Sequence, residues 1–197
     1  GWVGMILFSL AFMFFSIGLA RPQIGAKLKE HQSKGAEVMI ALDVSNSMLA
    51  QDYSPDRLQR AKLAISRLVD KLNGDRIGLV LFAGTSFVQL PITTDYVSAK
   101  MFLGNISTES VPVQGTAIGD AINTCIKSFS AQSENSRAII VITDGENHED
   151  NPVEAAKTAA SMGISVYTIG VGSAQGQPIP MKGGLLKDSQ GNIVVTK

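Results

Sequence analysis

The sequence predicts an α/β fold in which a doubly wound, mostly parallel sheet is flanked by helices and preceded by one transmembrane helix. Apolar stretches of strand length alternate with amphipathic helical stretches from residue 37 onward, as crossovers between parallel strands require. Several of these strands are apolar throughout, which is typical of strands covered on both faces. Before them, residues 2–20 carry no charged side chain.

The composition fits one ordinary globular domain with an additional segment, since the chain has 197 residues of which 45% are apolar. Seventeen basic and seventeen acidic residues cancel. No summed positive field therefore attracts a nucleic-acid backbone, and we expect no nucleic-acid partner. Cys125 is the only cysteine, which excludes an internal disulfide framework and a cysteine-rich zinc site.

Residues 1–21 are predicted to form a transmembrane helix, followed by a polar linker over residues 22–36. A helix needs about 20 apolar residues to cross a hydrocarbon core of about 30 Å, and the uncharged run has that length. Trp2 suits one interface, and Arg21 closes the other end. A secretory signal is the alternative, but the run exceeds the roughly 7 to 15 residues of a signal core. The basic residues that follow favour a cytoplasmic downstream side, but the rule compares both flanks, so the orientation stays open.

The first strand is predicted over residues 37–43, and the first helix of the domain over "SPDRLQRAKLAISRLVDKLNG". Ser54 is the predicted N-cap of this helix, Pro55 lies in its first turn and Gly74 ends it. The apolar side chains that recur at helical spacing and should face the core are Leu58, Ala61, Ile65, Leu68, Val69 and Leu72.

The next two strands, "RIGLVLFAG" and "SFVQLPIT", are joined tightly at Gly84 and Thr85 and should form the antiparallel pair of the sheet. Two short helices follow: "DYVSAKMFLGNI", capped by Asp95, and "AIGDAINTCIKSF", with Cys125 on its packed face. The remaining pattern predicts a strand in "SRAIIVITDGEN", a helix in "NPVEAAKTAASMG" and a strand in "ISVYTIGVG". After Ser173 we expect a loop and a short ribbon at "NIVVTK".

Oxygen-bearing side chains collect where two strands of the predicted sheet end. These side chains are Asp43, Ser45 and Ser47 after the first strand, Thr143 and Asp144 after the fourth, and Thr116 just before a helix. Because ligands in such sheets bind outside the carboxyl ends of neighbouring strands, we expect these side chains to lie close together.

This set of groups suits a hard divalent cation. Carboxylates and hydroxyls without histidine or cysteine favour Mg²⁺, Mn²⁺ or Ca²⁺ over zinc or copper, and Mg²⁺ is the first choice. The carboxylates of Asp43 and Asp144 with the hydroxyls of Ser45, Ser47 and Thr116 do not complete the coordination shell, so waters fill it and one position stays open. An aspartate or glutamate of a partner protein can replace one water and add a charge-assisted bond.

Each candidate ligand also has an ordinary structural interpretation. Asp43 taken alone would be a turn or helix cap, Thr116 would cap the helix that follows it, and Asp144 would belong to a turn. Taken together in register, they favour a metal site.

Residues 146–151, "ENHEDN", form either a second cation site or, as we favour, a solvated acidic loop. His31 lies in the linker and His148 in that loop. Neither has a second histidine at ligand spacing, so we expect surface roles for both.

The stretch "DVSNS" has the Asp-x-Ser-x-Ser pattern of the metal-ion-dependent adhesion site (MIDAS), and the chain resembles a von Willebrand factor type A (VWA) domain over residues 36–172. A threonine in the second loop and an aspartate after the fourth strand complete the pattern, and Thr116 and Asp144 match them. The resemblance implies a Rossmann-like VWA fold over residues 37–197. It implies that Ser45, Ser47 and often the threonine bind the metal directly, and that Asp43 and Asp144 bind it partly through water.

The uncharged helix, the "ARPQ" junction and this domain together are similar to the bacterial Bat, or aerotolerance-type, membrane proteins. That resemblance implies the inner (cytoplasmic) membrane, a periplasmic VWA domain and a cell-envelope complex linked to stress or oxygen tolerance. The implied partners are other VWA or Bat membrane proteins and a MoxR-type AAA+ ATPase. A further membrane helix, and the final helix, strand and helix of the VWA domain, are expected beyond Lys197.

Three functions are compatible with the sequence. The leading hypothesis is a binding module that recognises a partner protein through a divalent ion, without chemical turnover. A Mg²⁺-dependent haloacid-dehalogenase-like phosphatase also has an aspartate at the end of its first parallel strand. Its pattern is Asp-x-Asp, however, whereas position 45 is a serine that cannot act as the general acid. The third hypothesis is a scaffold whose ion only braces three loops.

Overall fold

The computed structural model describes residues 1–19, 35–130, 135–146, 150–173 and 175–196. The chain divides into two compact units, Gly1–Gln32 and Ser33–Lys197. Each unit is described by itself.

The first unit contains one helix, α1 (Trp2–Leu19), within its described residues. The side chains at its start are apolar and exposed, with Trp2 87% and Phe8 75% accessible. A search of the described residues finds no helix with the length and apolarity needed to cross a membrane. The transmembrane helix predicted over residues 1–21 therefore stays a prediction, and Ala20, Arg21, His31 and most of the predicted linker lie outside the described residues.

The second unit is built around a five-stranded sheet with the order β3-β2-β1-β4-β5. The strands are β1 (Glu37–Asp43), β2 (Arg76–Phe82), β3 (Ser86–Thr93), β4 (Arg137–Thr143) and β5 (Ile164–Gly170). Neighbouring strands are parallel except for β2 and β3, which are antiparallel as predicted. The predicted α/β class and mostly parallel sheet are confirmed.

Helices cover both faces of this sheet: α2 (Arg57–Val69), α3 (Tyr96–Gly104), α4 (Ile118–Ser128) and α5 (Pro152–Ser161). The central strand β1 shows how the two layers arise. Ile40 and Leu42 pack into the cluster that contains α2 and α3 residues, whereas Met39 and Ala41 pack into the cluster that contains α4 and α5 residues. This is the two-residue period of a strand, and it explains why β1 is apolar along most of its length.

Helix starts differ from the sequence prediction at two places. The N-cap of α2 is Asp56 and not Ser54, because the Asp56 carboxylate accepts a hydrogen bond from Gln59 N at 2.7 Å. Thr116 does not cap α4, whose cap position is Ala117. Asp95 is confirmed as the cap of α3, since it accepts from Ser98 N at 3.0 Å.

Asp150 takes the capping role at α4 that was the alternative interpretation of Thr116. Its carboxylate accepts hydrogen bonds from Gly119 N at 2.9 Å and from Asp120 N at 2.7 Å. An acidic group at a helix N-terminus satisfies free N–H groups and complements the helix dipole. Asp150 therefore has a structural role within the predicted acidic loop, whose residues 147–149, including His148, lie outside the described residues.

Cys125 lies in the packed face of α4, as predicted, with 0% exposure. Burial raises the pKa of its thiol to about 12. The thiol is therefore a core group and not a reactive nucleophile.

The C-terminal region forms two short ribbons. Strands β6 (Gln177–Pro178) and β9 (Val195–Thr196) pair antiparallel, and β7 (Pro180–Met181) pairs with β8 (Gly184–Leu185). The ribbon predicted at "NIVVTK" is confirmed through β9. The β7–β8 pair lies in a stretch where the sequence predicts a loop.

Candidate metal site

The carboxyl ends of β1 and β4 lie side by side, because the two strands are parallel neighbours with Leu42 opposite Ile142. This register places Asp43 next to Thr143, and the Thr143 hydroxyl donates to Asp43 Oδ2 at 2.7 Å. The side chains that the sequence placed after two separate strands therefore meet at one sheet edge.

Asp43 is completely buried, with 0% exposure. Its Oδ1 accepts a hydrogen bond from Ser45 N at 2.9 Å. The hydrogen-bond donors to Asp43 within the described chain, Ser45 and Thr143, are both neutral. Burial raises the pKa of the Asp43 carboxyl to about 6, and the charge of Asp144 acts in the same direction, while the hydrogen bonds from Ser45 and Thr143 oppose it. The fold thus holds a carboxylate whose negative charge is poorly compensated.

Ser45 and Ser47 bring two hydroxyls together beside this carboxylate. The two Oγ atoms lie 2.9 Å apart, and both residues are buried. Ser45 immediately precedes a short 3₁₀ helix, Asn46–Leu49, and Ser47 lies in the first turn of that helix, so the tight turn of the chain keeps the two serines close. The Asp-x-Ser-x-Ser spacing therefore produces a compact group of oxygens.

Thr116 lies in a loop that is attached to the end of β2. Ala117 N donates to Ala83 O at 2.7 Å, and Gly84 N donates to Val113 O at 2.9 Å. Gly115, just before Thr116, has φ +137°, which a residue with a side chain rarely adopts. Thr116 is buried, at 5% exposure, and no hydrogen bond of the described residues joins its hydroxyl to the other four candidate ligands.

Asp144 follows β4 and its side chain has no exposed surface. Its Oδ2 accepts a hydrogen bond from Arg57 Nη1 at 3.0 Å, and its Oδ1 accepts a long one from Glu146 N at 3.4 Å. Asp144 directly follows Thr143, whose hydroxyl donates to Asp43 Oδ2 at 2.7 Å, so the two aspartates lie at the same edge of the sheet.

Arg57 is a functional candidate that the sequence analysis missed. It begins α2, has 0% exposure, and binds Asp52 through Nε at 2.9 Å and Nη2 at 2.8 Å. Burial lowers the pKa of the Arg57 guanidinium, but Asp52 and Asp144 outweigh this effect and the pKa is raised. A cation is unfavourable in the first turn of a helix. An arginine at the start of a helix is therefore a signal, available from the sequence, that its side chain binds an acidic group outside that helix.

Gln114 is a second missed residue, and it connects two loops of the site. Its Oε1 accepts from Asn46 N at 2.9 Å, and its Nε2 donates to Thr108 O at 3.2 Å and Val111 O at 3.4 Å. Asn46 lies between the two candidate serines, so Gln114 fixes the first loop against the loop that leads to Thr116.

The donor chemistry of this edge fits a hard divalent cation. Among the described residues, no group of three or more histidine, cysteine, aspartate or glutamate side chains is arranged to hold a metal. Binding at this edge would therefore depend on the serine and threonine hydroxyls together with Asp43 and Asp144. Two carboxylates carry the charge that neutralises one divalent ion, and hydroxyl oxygens are ligands that Mg²⁺ accepts.

Residues 37–181 match the family model of the von Willebrand factor type A domain. The chain spans 49% of the length of one curated bacterial relative, at 32% identity, and 59% of another, at 28% identity.

Two solved bacterial structures are similar over most of the chain. The first, described as conserved hypothetical protein BatB from Bacteroides thetaiotaomicron, is 58% identical with a TM-score of 0.81, covering 83% of this chain and 80% of its own. The second, an aerotolerance-related membrane protein from Bacteroides fragilis NCTC 9343, is 56% identical with a TM-score of 0.80, covering 83% and 82%.

A more distant structure shares the fold. Proximal thread matrix protein 1 from the mussel byssus, solved with zinc in its MIDAS motif, is 22% identical with a TM-score of 0.62, covering 71% of this chain and 36% of its own.

Proposed function

The chain belongs to the von Willebrand factor type A domain family, and on that premise we propose that it binds a partner protein through a divalent cation at the carboxyl edge of its sheet. The proposed ligands are Asp43, Ser45, Ser47, Thr116 and Asp144. Mg²⁺ fits these oxygens best, and Mn²⁺ and Ca²⁺ accept the same donor types. When bound, the ion supplies an electrophilic centre with one open position, which an aspartate or glutamate of the partner takes.

The observation that carries the proposal is the environment of Asp43. A carboxylate with 0% exposure is expensive to bury unless a positive charge compensates it. The donors to Asp43 in the described residues are neutral, and the nearby Arg57 is bonded to Asp52 and Asp144. A cation from solution would supply the missing charge. The zinc in the MIDAS of the mussel protein is consistent with a divalent ion in this fold.

A groove beside the first loop gives a partner room to dock. Its lining mixes apolar Leu49 and Val111 with polar Asn46 and Gln114.

The groove has a volume of about 820 Å³. Asn46 lies between Ser45 and Ser47, so a partner seated in the groove would be next to the proposed cation.

We also propose that the protein acts at the bacterial inner membrane, with residues 1–21 as the anchor and the VWA domain in the periplasm. The support is the uncharged run over residues 2–20 and the similarity to a solved protein described as an aerotolerance-related membrane protein. The proposed partners are other VWA or Bat membrane proteins and a MoxR-type AAA+ ATPase, within a complex linked to stress or oxygen tolerance.

We infer binding without turnover. In the phosphatase pattern a second aspartate, two residues after the first, acts as the general acid. Ser45 occupies that position, and its hydroxyl is 2.9 Å from the Ser47 hydroxyl. This arrangement offers a ligand oxygen but no proton donor of suitable pKa.

The test is affinity purification of the full chain from detergent extracts, in Mg²⁺ and in EDTA, for the wild type and for Asp43→Ala. We expect an acidic partner to be captured only by the wild type in Mg²⁺. The control is Asp95→Ala, which removes the exposed cap of α3 and should leave capture unchanged. Equal capture by Asp43→Ala would reject the proposal.

Two further measurements distinguish the other two functions. If EDTA lowers the melting temperature but leaves capture unchanged, the ion only braces the loops. Mg²⁺-dependent phosphatase turnover that is lost in Asp43→Asn would instead support the enzyme.

A further inference from the structure

We propose that Arg57 and Asp52 are positioning residues, which together hold the Asp144 carboxylate in place for the cation while preserving the negative charge of the site. This inference rests on the proposed function, because it assigns a role toward the same cation. Neither residue belongs to the five proposed ligands.

The guanidinium of Arg57 uses all three of its nitrogens. Nε and Nη2 bind the two oxygens of Asp52 at 2.9 and 2.8 Å, and Nη1 donates to Asp144 Oδ2 at 3.0 Å and to Thr196 Oγ1 at 3.0 Å. Because the guanidinium is planar and rigid, its bidentate contact with Asp52 fixes the direction in which Nη1 points. The position of Asp144 is thereby tied to that of Asp52.

The surroundings restrict this arrangement further. Asp52 Oδ2 also accepts a hydrogen bond from Ser173 N at 2.7 Å. A side chain added at Gly172, which has φ +154°, would come within 3.1 Å of Arg57 Cζ. Arg57 is the largest fully buried side chain among the described residues, so it has little freedom to take another orientation.

Thr196 closes the network on its far side. Its hydroxyl has one proton, and the shortest acceptor contact is to Glu146 Oε1 at 2.6 Å, so its oxygen remains free to accept from Arg57 Nη1. Both Arg57 and Thr196 therefore lie on the Oδ2 side of Asp144. Oδ1 accepts only the 3.4 Å bond from Glu146 N among the described contacts, and it keeps capacity to bind a cation or its water.

The charges explain why Asp52 is needed. Arg57 alone beside Asp144 would cancel one of the two negative charges that Asp43 and Asp144 offer. Asp52 neutralises Arg57 through the bidentate contact, so the site keeps two negative charges for a divalent ion. Asp52 therefore contributes to cation affinity without being one of its ligands.

The experiment titrates MgCl₂ alone into the full chain in detergent by calorimetry. We expect Asp52→Asn to raise the Kd about tenfold or more, because an uncompensated unit charge a few ångströms away acts strongly in the protein interior. Asp56→Asn is the matched control. It makes the same charge change one residue before Arg57 and keeps a good N-cap, so its Kd should stay within about twofold.

A double variant separates charge from orientation. Asp52→Asn with Arg57→Met restores the wild-type net charge but removes the guanidinium, and we expect its Kd to remain raised about tenfold. Arg57→Lys keeps the charge and should also weaken binding, because an ammonium group cannot contact Asp52 and Asp144 with the same fixed geometry. Circular dichroism in EDTA checks that each variant is folded.

Wild-type affinity in Asp52→Asn, in Arg57→Lys or in the folded double variant would overturn the positioning role. Failure of the wild type itself to bind Mg²⁺ would overturn the proposed function as well. The two failures are therefore distinguishable in one titration series.

Discussion

The central strand β1 buries a carboxylate at each of its ends, and the two have different surroundings. Glu37 and Asp43 both have 0% exposure. Glu37 Oε1 receives a hydrogen bond from Arg76 Nη1 at 2.7 Å, so an arginine of the chain compensates it. Asp43 receives hydrogen bonds from Ser45 N and the Thr143 hydroxyl, which are neutral.

Under the proposed function, this difference separates a carboxylate that is part of the fold from one that binds a ligand. At the amino end, the chain provides its own cation. At the carboxyl end, Arg57 is bonded to Asp52 and Asp144, and the proposed ion from solution would compensate the charge of Asp43. Burial alone does not distinguish the two residues, but the charge of their partners does.

The largest expected effect is on Mg²⁺ affinity, and it distinguishes the carboxylates at the two ends of β1. Asp43→Asn should raise the Kd about a hundredfold, equivalent to about 2.7 kcal/mol, because it removes a charge from the coordination shell. Glu37→Gln makes the same chemical change at the other end of β1 and should leave the Kd unchanged. Calorimetric titration of both variants measures the contrast, and an equal loss in the two would remove the distinction.

The next effect is on stability at the amino end. Arg76→Met should lower the free energy of unfolding by about 2 kcal/mol. Removing one partner of a fully buried ion pair costs about 3 to 5 kcal/mol, and the expected loss is smaller because Arg76 is partly exposed. Mg²⁺ affinity should not change. The control is Arg137→Met on the neighbouring strand, because the Arg137 guanidinium donates to Met162 O whereas that of Arg76 donates to Glu37. Thermal unfolding followed by circular dichroism tests both, and an unchanged stability of Arg76→Met would show that Glu37 does not need its arginine.

A smaller effect on stability and Mg²⁺ affinity is expected at Gln114, which joins two loops of the candidate metal site. Gln114→Ala removes its contacts to Asn46, Thr108 and Val111, and should cost about 1 kcal/mol of stability with a few-fold increase in the Mg²⁺ Kd. Gln59→Ala, at an exposed position of α2, is the control. A Kd equal to that of the wild type would mean that the first loop holds its shape without Gln114.

The smallest expected signal is at Cys125, away from both carboxylates. Its buried thiol, whose pKa is raised to about 12, should not react with a thiol reagent at pH 8 in the native protein. It should react fully after unfolding in guanidinium. Rapid native labelling would mean that the α4 layer opens readily.

Much of the fold followed from local patterns in the sequence. The bounds of β1 were predicted from an apolar run that ends at Asp43, and the β2–β3 pair from the tight connection at Gly84 and Thr85. The alternation of strands and helices then placed the ends of β1 and β4 at one edge. These features depend on residues close in sequence or on general rules of parallel sheets.

Contacts between distant loops could not be predicted in this way. Asp150 caps α4 from a position 31 residues after Gly119. Arg57 binds Asp144 and Thr196, which lie 87 and 139 residues further along the chain. Local preference pointed instead to Thr116 and Ser54 as caps, because serine and threonine are common before helices. Such contacts leave no periodic signal, so only the folded chain brings them together.

The central claim is that Asp43 lacks a positive partner until a cation binds, and unfolding of the wild type and Asp43→Asn in EDTA and in Mg²⁺ tests it most directly. We predict that Mg²⁺, at one hundred times the wild-type Kd, stabilises the wild type by about 2.7 kcal/mol and Asp43→Asn by only about 0.4 kcal/mol. In EDTA, Asp43→Asn should be at least as stable as the wild type. A wild type that does not respond to Mg²⁺, together with an Asp43→Asn variant that is less stable in EDTA, would contradict the claim and make Asp43 a structural residue like Glu37.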